Sequence, residues 1–548
     1  MQIKRFKNDF SERIFRQKYA NGTNDTWDAL AERLVEDVCG TRWGKDRALM
    51  SDDDRQQLAE YIKTMRFIPG GRYLYYAGRQ NSFFNNCFLL RGEEDTREEW
   101  GSLIKRASDC LMTGGGIGVD YSRFRPEGKP LSRTGGISSG PIPLMCSINE
   151  HGRNVMQGGS RRSAIYASLN WLHEDIPTFL KIKNWSDDLK RLKEKDFNFP
   201  CPLDMTNISI NYDDKWLYNA DRANLHTFVE NCRQAMMTGE PGFSFNFGKK
   251  QNETLRNACT EVTSENDSDV CNLGSINLGN IQSLEEFQSV IQLASKFLVC
   301  GTLRADLPYE KVYKVREKNR RLGLGLMGIH EWLLQRNYGY EVTPELHKWL
   351  EVYKNESEKA ANEHCDRLFI SRPIAYRAIA PTGSIGILAG TTTGIEPLFA
   401  VAYKRRYLTN GTKWKYEYVV DSTADALIKQ HGLDPDKIET AYKLSHNYEQ
   451  RIKFQADIQD YVDMSISSTI NLPNWGSKDN NDSKVTEFAQ TLSKYAPRLR
   501  GFTCYPDGSR GGQPLTEVSY KEAISHQGVV FEENDICEIG GKGGSCGV

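Results

Sequence analysis

The sequence predicts an α/β protein with a helical N-terminal region, on three observations. Between Ile68-Pro69-Gly70-Gly71 and about Pro473, glycine-rich turns and short apolar runs such as Ile208-Ser209-Ile210 alternate with helical stretches. Ahead of that core, Trp27, Leu30, Ala31, Leu34, Val35 and Val38 recur at the three-to-four spacing of one helix face. Behind it, the last dozen residues are glycine-rich and end Gly-Gly-Ser-Cys-Gly-Val, the composition of a mobile tail.

Taken in order, residues 1–65 read as helices that cap the core, 66–500 as the α/β body, and 501–548 as a C-terminal segment with its tail. Within the body, helices are expected over 286–301 and 345–368, and the polar run 476–484 as a surface loop. The 548 residues alone would suggest three or four domains at roughly 150 residues each. No tandem repeat or low-complexity linker divides the body, and one large catalytic domain would overturn that prior.

Composition excludes several functions. Lys plus Arg total 71 against 72 for Asp plus Glu, and this balance gives no field to draw in nucleic acid or a membrane surface. No apolar run approaches the roughly 18 residues of a membrane span, and the N-terminal Met1-Gln2-Ile3-Lys4-Arg5-Phe6 lacks the apolar stretch of a secretory signal. A cytoplasmic protein is expected. Its 13 cysteines are dispersed through a long chain, which predicts mostly reduced thiols, a few of them chemical.

Generic motifs fail on context. Gly323-Leu-Gly325-Leu-Met-Gly328 matches G-x-G-x-x-G but follows the basic stretch 314–321 instead of the apolar strand that dinucleotide binding needs. There is no P-loop and no C-x-x-C, and none of the nine histidines completes the E-x-x-H of a di-iron bundle. No metal site is predicted.

Three segments place polar and sulfur residues where a core would not choose them: Asn85-Asn86-Cys87, Asn257-Ala-Cys259-Thr-Glu261, and the run from Asp269 through Cys271 to Asn277. Asn257, Cys259 and Glu261 occupy alternating positions, which in an extended segment project to one side. That face would hold an amide to orient, a sulfur for one-electron or nucleophilic chemistry, and a carboxylate to act as base.

These segments resemble the catalytic subunit of ribonucleotide reductase, and the similarity extends from the N-terminal helices to the tail. The segments Gln157-Gly-Gly-Ser-Arg-Arg162, Arg320-Arg-Leu-Gly-Leu-Gly-Leu-Met-Gly, Ala380-Pro-Thr-Gly-Ser384-Ile-Gly and Thr392-Thr-Gly-Ile-Glu-Pro397 resemble further family blocks in the expected order. The resemblance implies a ten-stranded α/β barrel whose central finger loop carries the N-x-C-x-E motif. It implies an oxidoreductase that makes deoxyribonucleotides for DNA synthesis. Cys259, as a thiyl radical, would abstract the ribose 3′ hydrogen, Glu261 would accept the 3′ hydroxyl proton, and Asn257 would bind the ribose hydroxyls. Cys87 and Cys271 would supply two electrons and end as a disulfide. Substrate phosphates would meet the backbone N–H groups of Thr382, Gly383, Ser384 and Ile385, with Asn86 and Ser209 also lining the pocket. In the tail, Cys546 with Cys537 would pass electrons from a thioredoxin- or glutaredoxin-like reductant.

The resemblance also implies regulation by a deoxynucleotide or ATP effector. Gly114 to Arg125 and the following loop are similar to the first effector loop, with Arg125 as a phosphate contact. Gln157 to Arg162 is similar to the second, with Arg161 sensing the substrate. The N-terminal region lacks the pattern of an ATP-cone, so overall inhibition by dATP is not expected. For the radical source, Gln455 to Gln459, Ser465 to Pro473 and Tyr505-Pro-Asp-Gly508-Ser-Arg510 look most like the adenosylcobalamin-dependent class. Cys504-Tyr505 stands where two-subunit relatives carry adjacent tyrosines, which leaves relay from a separate metal-containing radical-generating subunit as the alternative. A glycyl radical, hinted at by Arg498 to Phe502, and a non-catalytic nucleotide-binding regulator on the same fold are further readings. Both di- and triphosphate substrates, and both monomer and homodimer, remain open.

Overall fold

The computed structural model describes residues 5–41, 47–133, 135–155, 163–196, 199–409, 413–507, 515–526 and 530–532. Its strands, in chain order, are β1 (Phe67–Pro69), β2 (Cys87–Arg91), β3 (Gly116–Asp120), β4 (Ile165–Asn170), β5 (Thr206–Tyr212), β6 (Gly242–Phe245), β7 (Leu255–Arg256), β8 (Thr263–Ser264), β9 (Asp269–Asn277) and β10 (Leu322–Met327). They continue with β11 (Ala402–Thr409), β12 (Lys413–Val420), β13 (Ile470–Leu472), β14 (Gly501–Phe502), β15 (Cys504–Pro506), β16 (Leu515–Glu517) and β17 (Val530–Glu532).

The main sheet has nine strands. β2 to β6 run parallel, β14 lies antiparallel on β6, and β9 carries β2 and β1 antiparallel and β10 parallel. Beyond β10 the hydrogen bonding continues through short bridges, Leu324 to Arg377 and Ile379 to Ile466. β13 then pairs with β15, directly after β14. The expectation was ten strands; the described residues form nine in the sheet, with short bridges continuing from β10. Gly501–Phe502, just past the boundary expected at residue 500, pairs with β6.

Side chains alternate across the wall, as the two-residue period of a strand requires. Phe88, Ile117, Val119, Ile165, Ala167, Ile208, Ile210 and Phe243 bury outward beneath helices 97–112, 142–154 and 226–238. Inward-facing positions hold Cys87, glycines, Tyr166, Ser168, Asn207 and Ser209, an unusually polar lining. The opposite half of the wall, β1, β9 and β10, packs against helices Leu284–Arg304 and Pro344–Leu368 and the N-terminal helices Asp9–Lys18, Trp27–Cys39 and Asp52–Lys63. Ser283 caps the first of these by accepting from the Glu286 N–H at 3.2 Å, and Thr343 followed by Pro344 starts the second. These caps place both helices within a few residues of the expected ranges.

A four-stranded antiparallel sheet, β16-β11-β12-β17, lies outside the main sheet and was not anticipated. Among the described residues no helix is long and apolar enough to cross a membrane.

Candidate active site

The N-x-C-x-E segment is the tip of a hairpin. β7 and β8 pair antiparallel, Leu255 with Ser264 and Arg256 with Thr263, and residues 257–262 close the loop. The expected extended strand is therefore corrected to a tight turn. The Thr260 N–H donates to the Asn257 carbonyl at 3.0 Å, and Thr260 takes a left-handed φ of 71°. The turn folds Asn257, Cys259 and Glu261 around one point instead of aligning them on one edge.

Glycines let this finger lie against the inner wall. A Cβ at Gly118 would stand 1.7 Å from the Arg256 carbonyl oxygen, and one at Gly116 3.3 Å from the Ala258 Cβ. Within the Gly114 to Arg125 segment expected at the first effector loop, Gly116–Asp120 is a wall strand. Asp120 accepts from Thr254 Oγ1 at 2.6 Å at the root of the finger. At the tip, Asn207 Nδ2 donates to the Ala258 carbonyl at 3.1 Å, and the Ser465 N–H donates to the Glu261 carbonyl at 2.8 Å.

The finger is rooted in buried charge. Arg321 pairs with Asp269 at 2.6 Å, Arg500 with Glu253 at 2.9 Å, and Thr263 Oγ1 donates to Glu253 at 2.7 Å. Arg256 donates to Asn246 Oδ1 at 2.7 Å and to the Arg500 carbonyl at 3.1 Å.

Five predicted residues converge. Cys87 and Cys271 are direct antiparallel partners in β2 and β9, both buried on the inner face. Opposed residues in such a ladder have Cα atoms about 4.5–5.5 Å apart, inside the window a disulfide spans. Both thiols are free, and burial pushes each well above the ordinary thiol range. As thiols they are therefore held protonated. Asn257 Nδ2 donates to Cys87 Sγ at 2.9 Å, while its Oδ1 accepts from the Val262 N–H at 2.9 Å. Asn85 Nδ2 donates to the Cys271 carbonyl at 3.1 Å. Gly323, in β10, leaves room for the second sulfur: a Cβ there would sit 3.0 Å from Cys271 Sγ. The glycine motif that failed as a dinucleotide fingerprint has this packing role.

Cys259 differs from the pair. It is exposed, yet the protein around it, and secondarily Glu261, push its thiol far above the usual range. An accessible sulfur in so enclosed a setting faces an internal space. Glu261 is 1% exposed, its Oε2 has no partner, and burial drives its carboxyl up to about 7 against a smaller opposing hydrogen bond from Asn257. A carboxyl poised near neutrality with an open oxygen can exchange a proton with a bound molecule.

The other predicted residues fall around this centre. Asn86 precedes Cys87 and its carbonyl accepts from the Gly116 N–H at 2.8 Å; Ser209 lies on the inner face of β5. Thr382, in a left-handed conformation, starts the short helix Gly383–Ala389, and its Oγ1 accepts from the Gly394 N–H at 2.8 Å. Ser384 is met by Lys18 Nζ at 3.1 Å, and Ile385 is buried. The segment is close to the finger through Ile379, whose N–H donates to the carbonyl of Ser465.

Arg125 lies elsewhere, bound to Asp95 at 2.5 Å and to the Pro130 carbonyl at 3.1 Å. Cys504 is buried in the outer core and interacts with Cys232, so it is not among the inner-face cysteines; Tyr505 follows it beside Gly239. Gln157, Arg161, Cys537 and Cys546 lie outside the described residues.

Sequence reasoning missed Asn207, Gly118, Gly323 and the buried charges at the finger root. Only the glycines left a signal, since two glycines at alternate positions of an apolar strand mark a close backbone approach.

A family model described as the barrel domain of ribonucleotide reductase matches residues 85–201, 204–351 and 373–496. Among curated relatives, a vitamin B12-dependent ribonucleoside-diphosphate reductase of Mycobacterium tuberculosis is 24% identical over 92% of this chain and 78% of its own length. A protein of the same name from Thermoplasma acidophilum is 25% identical over 83% of this chain and 66% of its own. A solved structure of a B12-dependent (class II) ribonucleotide reductase aligns with a TM-score of 0.70 at 16% identity, over 94% of this chain and 96% of that one. At that identity the likeness speaks to the fold.

Proposed function

Because the chain belongs to the ribonucleotide reductase family, we propose that its finger is the centre at which ribonucleotides are reduced to 2′-deoxyribonucleotides, with Cys259 as the radical carrier. The observation that carries this reading is the meeting of one accessible thiol, one carboxyl near neutral pKa and one cross-strand dithiol around a single turn.

Each residue has a task that its setting supports. Cys259, as a thiyl radical, takes the ribose 3′ hydrogen and returns it at the end, so its sulfur must be reachable. Glu261 takes the 3′ hydroxyl proton, for which its unpartnered Oε2 and its carboxyl near neutrality are suited. Asn257, anchored through the Val262 N–H and Cys87, orients the ribose hydroxyls. Replacing the 2′ hydroxyl by hydrogen, with loss of water, needs two protons and two electrons, because the 3′ hydrogen is only borrowed and returned. Cys87 and Cys271 supply them: two S–H bonds break, one S–S bond forms, and the substrate carbon is reduced. The start of helix Gly383–Ala389, with Lys18 beside it, receives the substrate phosphates. Cys546 with Cys537 then exchanges with the new disulfide and is itself reduced by a thioredoxin- or glutaredoxin-like protein. An effector nucleotide acts through the loop after β3 and through Gln157 to Arg162.

The radical source in this reading is adenosylcobalamin. The names of the two similar reductases support it, and so does the fit of the site: the thiol to be oxidised is the exposed one, open to a bound cofactor. When bound, adenosylcobalamin supplies the one-electron oxidising equivalent for that thiol. Cys504, facing away into the outer core, is poorly placed to end a protein-borne relay.

The test is Cys259→Ser. Nucleotide binding should persist while deoxynucleotide formation is abolished; residual formation by the variant contradicts the assignment.

A further inference from the structure

A pocket of about 370 Å³ opens at the root of the finger, lined by Lys250, Lys354, Arg498 and Arg500 together with Asp460 and Asp463. Most of its acidic charge is already committed. Arg498 engages Asp457 and Asp460, each at 2.7 Å. The Asp463 carboxylate takes the Arg377 guanidinium and the main-chain N–H groups of Tyr376 and Arg377. Among the described residues two cations are left over: the Lys250 ammonium meets the main-chain carbonyl of Asp463 and no carboxylate, and the Lys354 ammonium lies 6.0 Å from the Tyr461 ring centre. Arg500, 9% exposed, has a buried Nε without a partner.

The protonation of the surrounding groups registers the imbalance. Burial and the charge of Arg500 loosen the Lys250 proton to about 8, and the same two causes lower Arg256 to about 9. Glu253 is held in its charged form: against the opposing effect of burial, Arg500 and Arg321 drive it down to about 2. Packing like charges together in a half-enclosed space is costly unless a counter-charge enters.

We propose that this pocket binds a small oxyanion, a phosphate group either free or carried by a nucleotide, between Lys250, Lys354 and Arg500. It is a site separate from the start of helix Gly383–Ala389. Its position ties it to the finger, because Arg500 and Thr263 of β8 share the same Glu253 oxygen. An anion that draws on Arg500 therefore acts on the hairpin carrying Cys259.

Equilibrium dialysis of the full chain against labelled inorganic phosphate, with ATP as a second probe, tests the site. Wild type should hold phosphate, and Lys250→Gln with Lys354→Gln together should weaken it by about tenfold or more, the loss of two charge-assisted contacts. Lys354→Gln alone, at the pocket rim, should weaken it in the same direction and guards against misfolding of the double variant. Phosphate binding should also fall between about pH 7 and about pH 9 as Lys250, facing Arg500, Glu253, Asp463 and Arg321, loses its proton. If ATP binding falls with phosphate binding in the double variant, the ligand is a nucleotide phosphate; if phosphate alone falls, it is the free ion. No phosphate retained by wild type, or phosphate retained undiminished by the double variant, overturns the proposal.

Discussion

Replacing Glu261 with glutamine should move activity and stability in opposite directions. The carboxyl has an ordinary pKa of 4.5 and one of about 7 in the folded chain, raised by burial. The folded state thus grips the proton more tightly than the unfolded state. Stability conferred by this grip is complete below 4.5, declines as pH rises, and is gone above about 7. At about 1.4 kcal/mol per tenfold change in proton affinity, the whole decline amounts to about 3 kcal/mol. Glutamine carries no titrating proton, so the variant escapes the decline. Calorimetry should find equal melting temperatures near pH 4.5 and a gap in favour of the variant that grows to the order of 3 °C by pH 8 in a chain this long. In steady-state assays, kcat/KM of the wild type should rise with pH through about 7, as the base form appears. The variant should lose about a hundredfold or more of the rate together with that rise. A stability gap that is constant with pH, or a rate profile unchanged by the substitution, would refute both the buried-carboxyl argument and the role of Glu261 as base.

Other perturbations probe the parts around it. Fully reduced chain given ribonucleotide and adenosylcobalamin without external reductant should yield two products per chain by rapid quench, one from each dithiol; Cys546→Ser should yield one, and Cys87→Ser none. Gly118→Ala forces a methyl against the Arg256 carbonyl, and should cost about 1–3 kcal/mol in denaturation or displace the finger and abolish turnover. Arg321→Met leaves Asp269 as a buried unpaired charge, and should destabilise by about 3–5 kcal/mol, with Asp269→Asn in the same chain recovering part of the loss.

The long helices and the alternation of strand and helix were legible because their signals are local. Ser283 and Thr343 cap where capping residues should stand; one buried stripe runs along the second helix, and the first is buried on all sides in its last turns. The five central residues stood out as polar and sulfur positions, but their roles and the pairing of the dithiol were legible only through resemblance. Nothing near Cys87 announces that its partner is Cys271, because that pairing is set by the register of two strands far apart in the chain. The turn at 257–260 was hidden for a different reason. Its left-handed position is filled by Thr260, where glycine or asparagine would have signalled it. The buried charges at the finger root were invisible because Lys, Arg and Glu lie on the surface by default. Here Arg256, Arg321 and Arg500 are buried, and only the folded chain shows that Glu253, Asp269 and main-chain carbonyls receive them. The second sheet escaped notice because β16 and β17 reach β11 and β12 from the far end of the sequence.

The most direct measurement is ribonucleotide reduction by the purified chain alone, given adenosylcobalamin, a dithiol reductant and an effector nucleotide. Turnover that requires the cofactor, needs no second protein and disappears in Cys259→Ser is the result expected. Turnover obtained only with an added metalloprotein, or surviving in Cys259→Ser, would contradict the account.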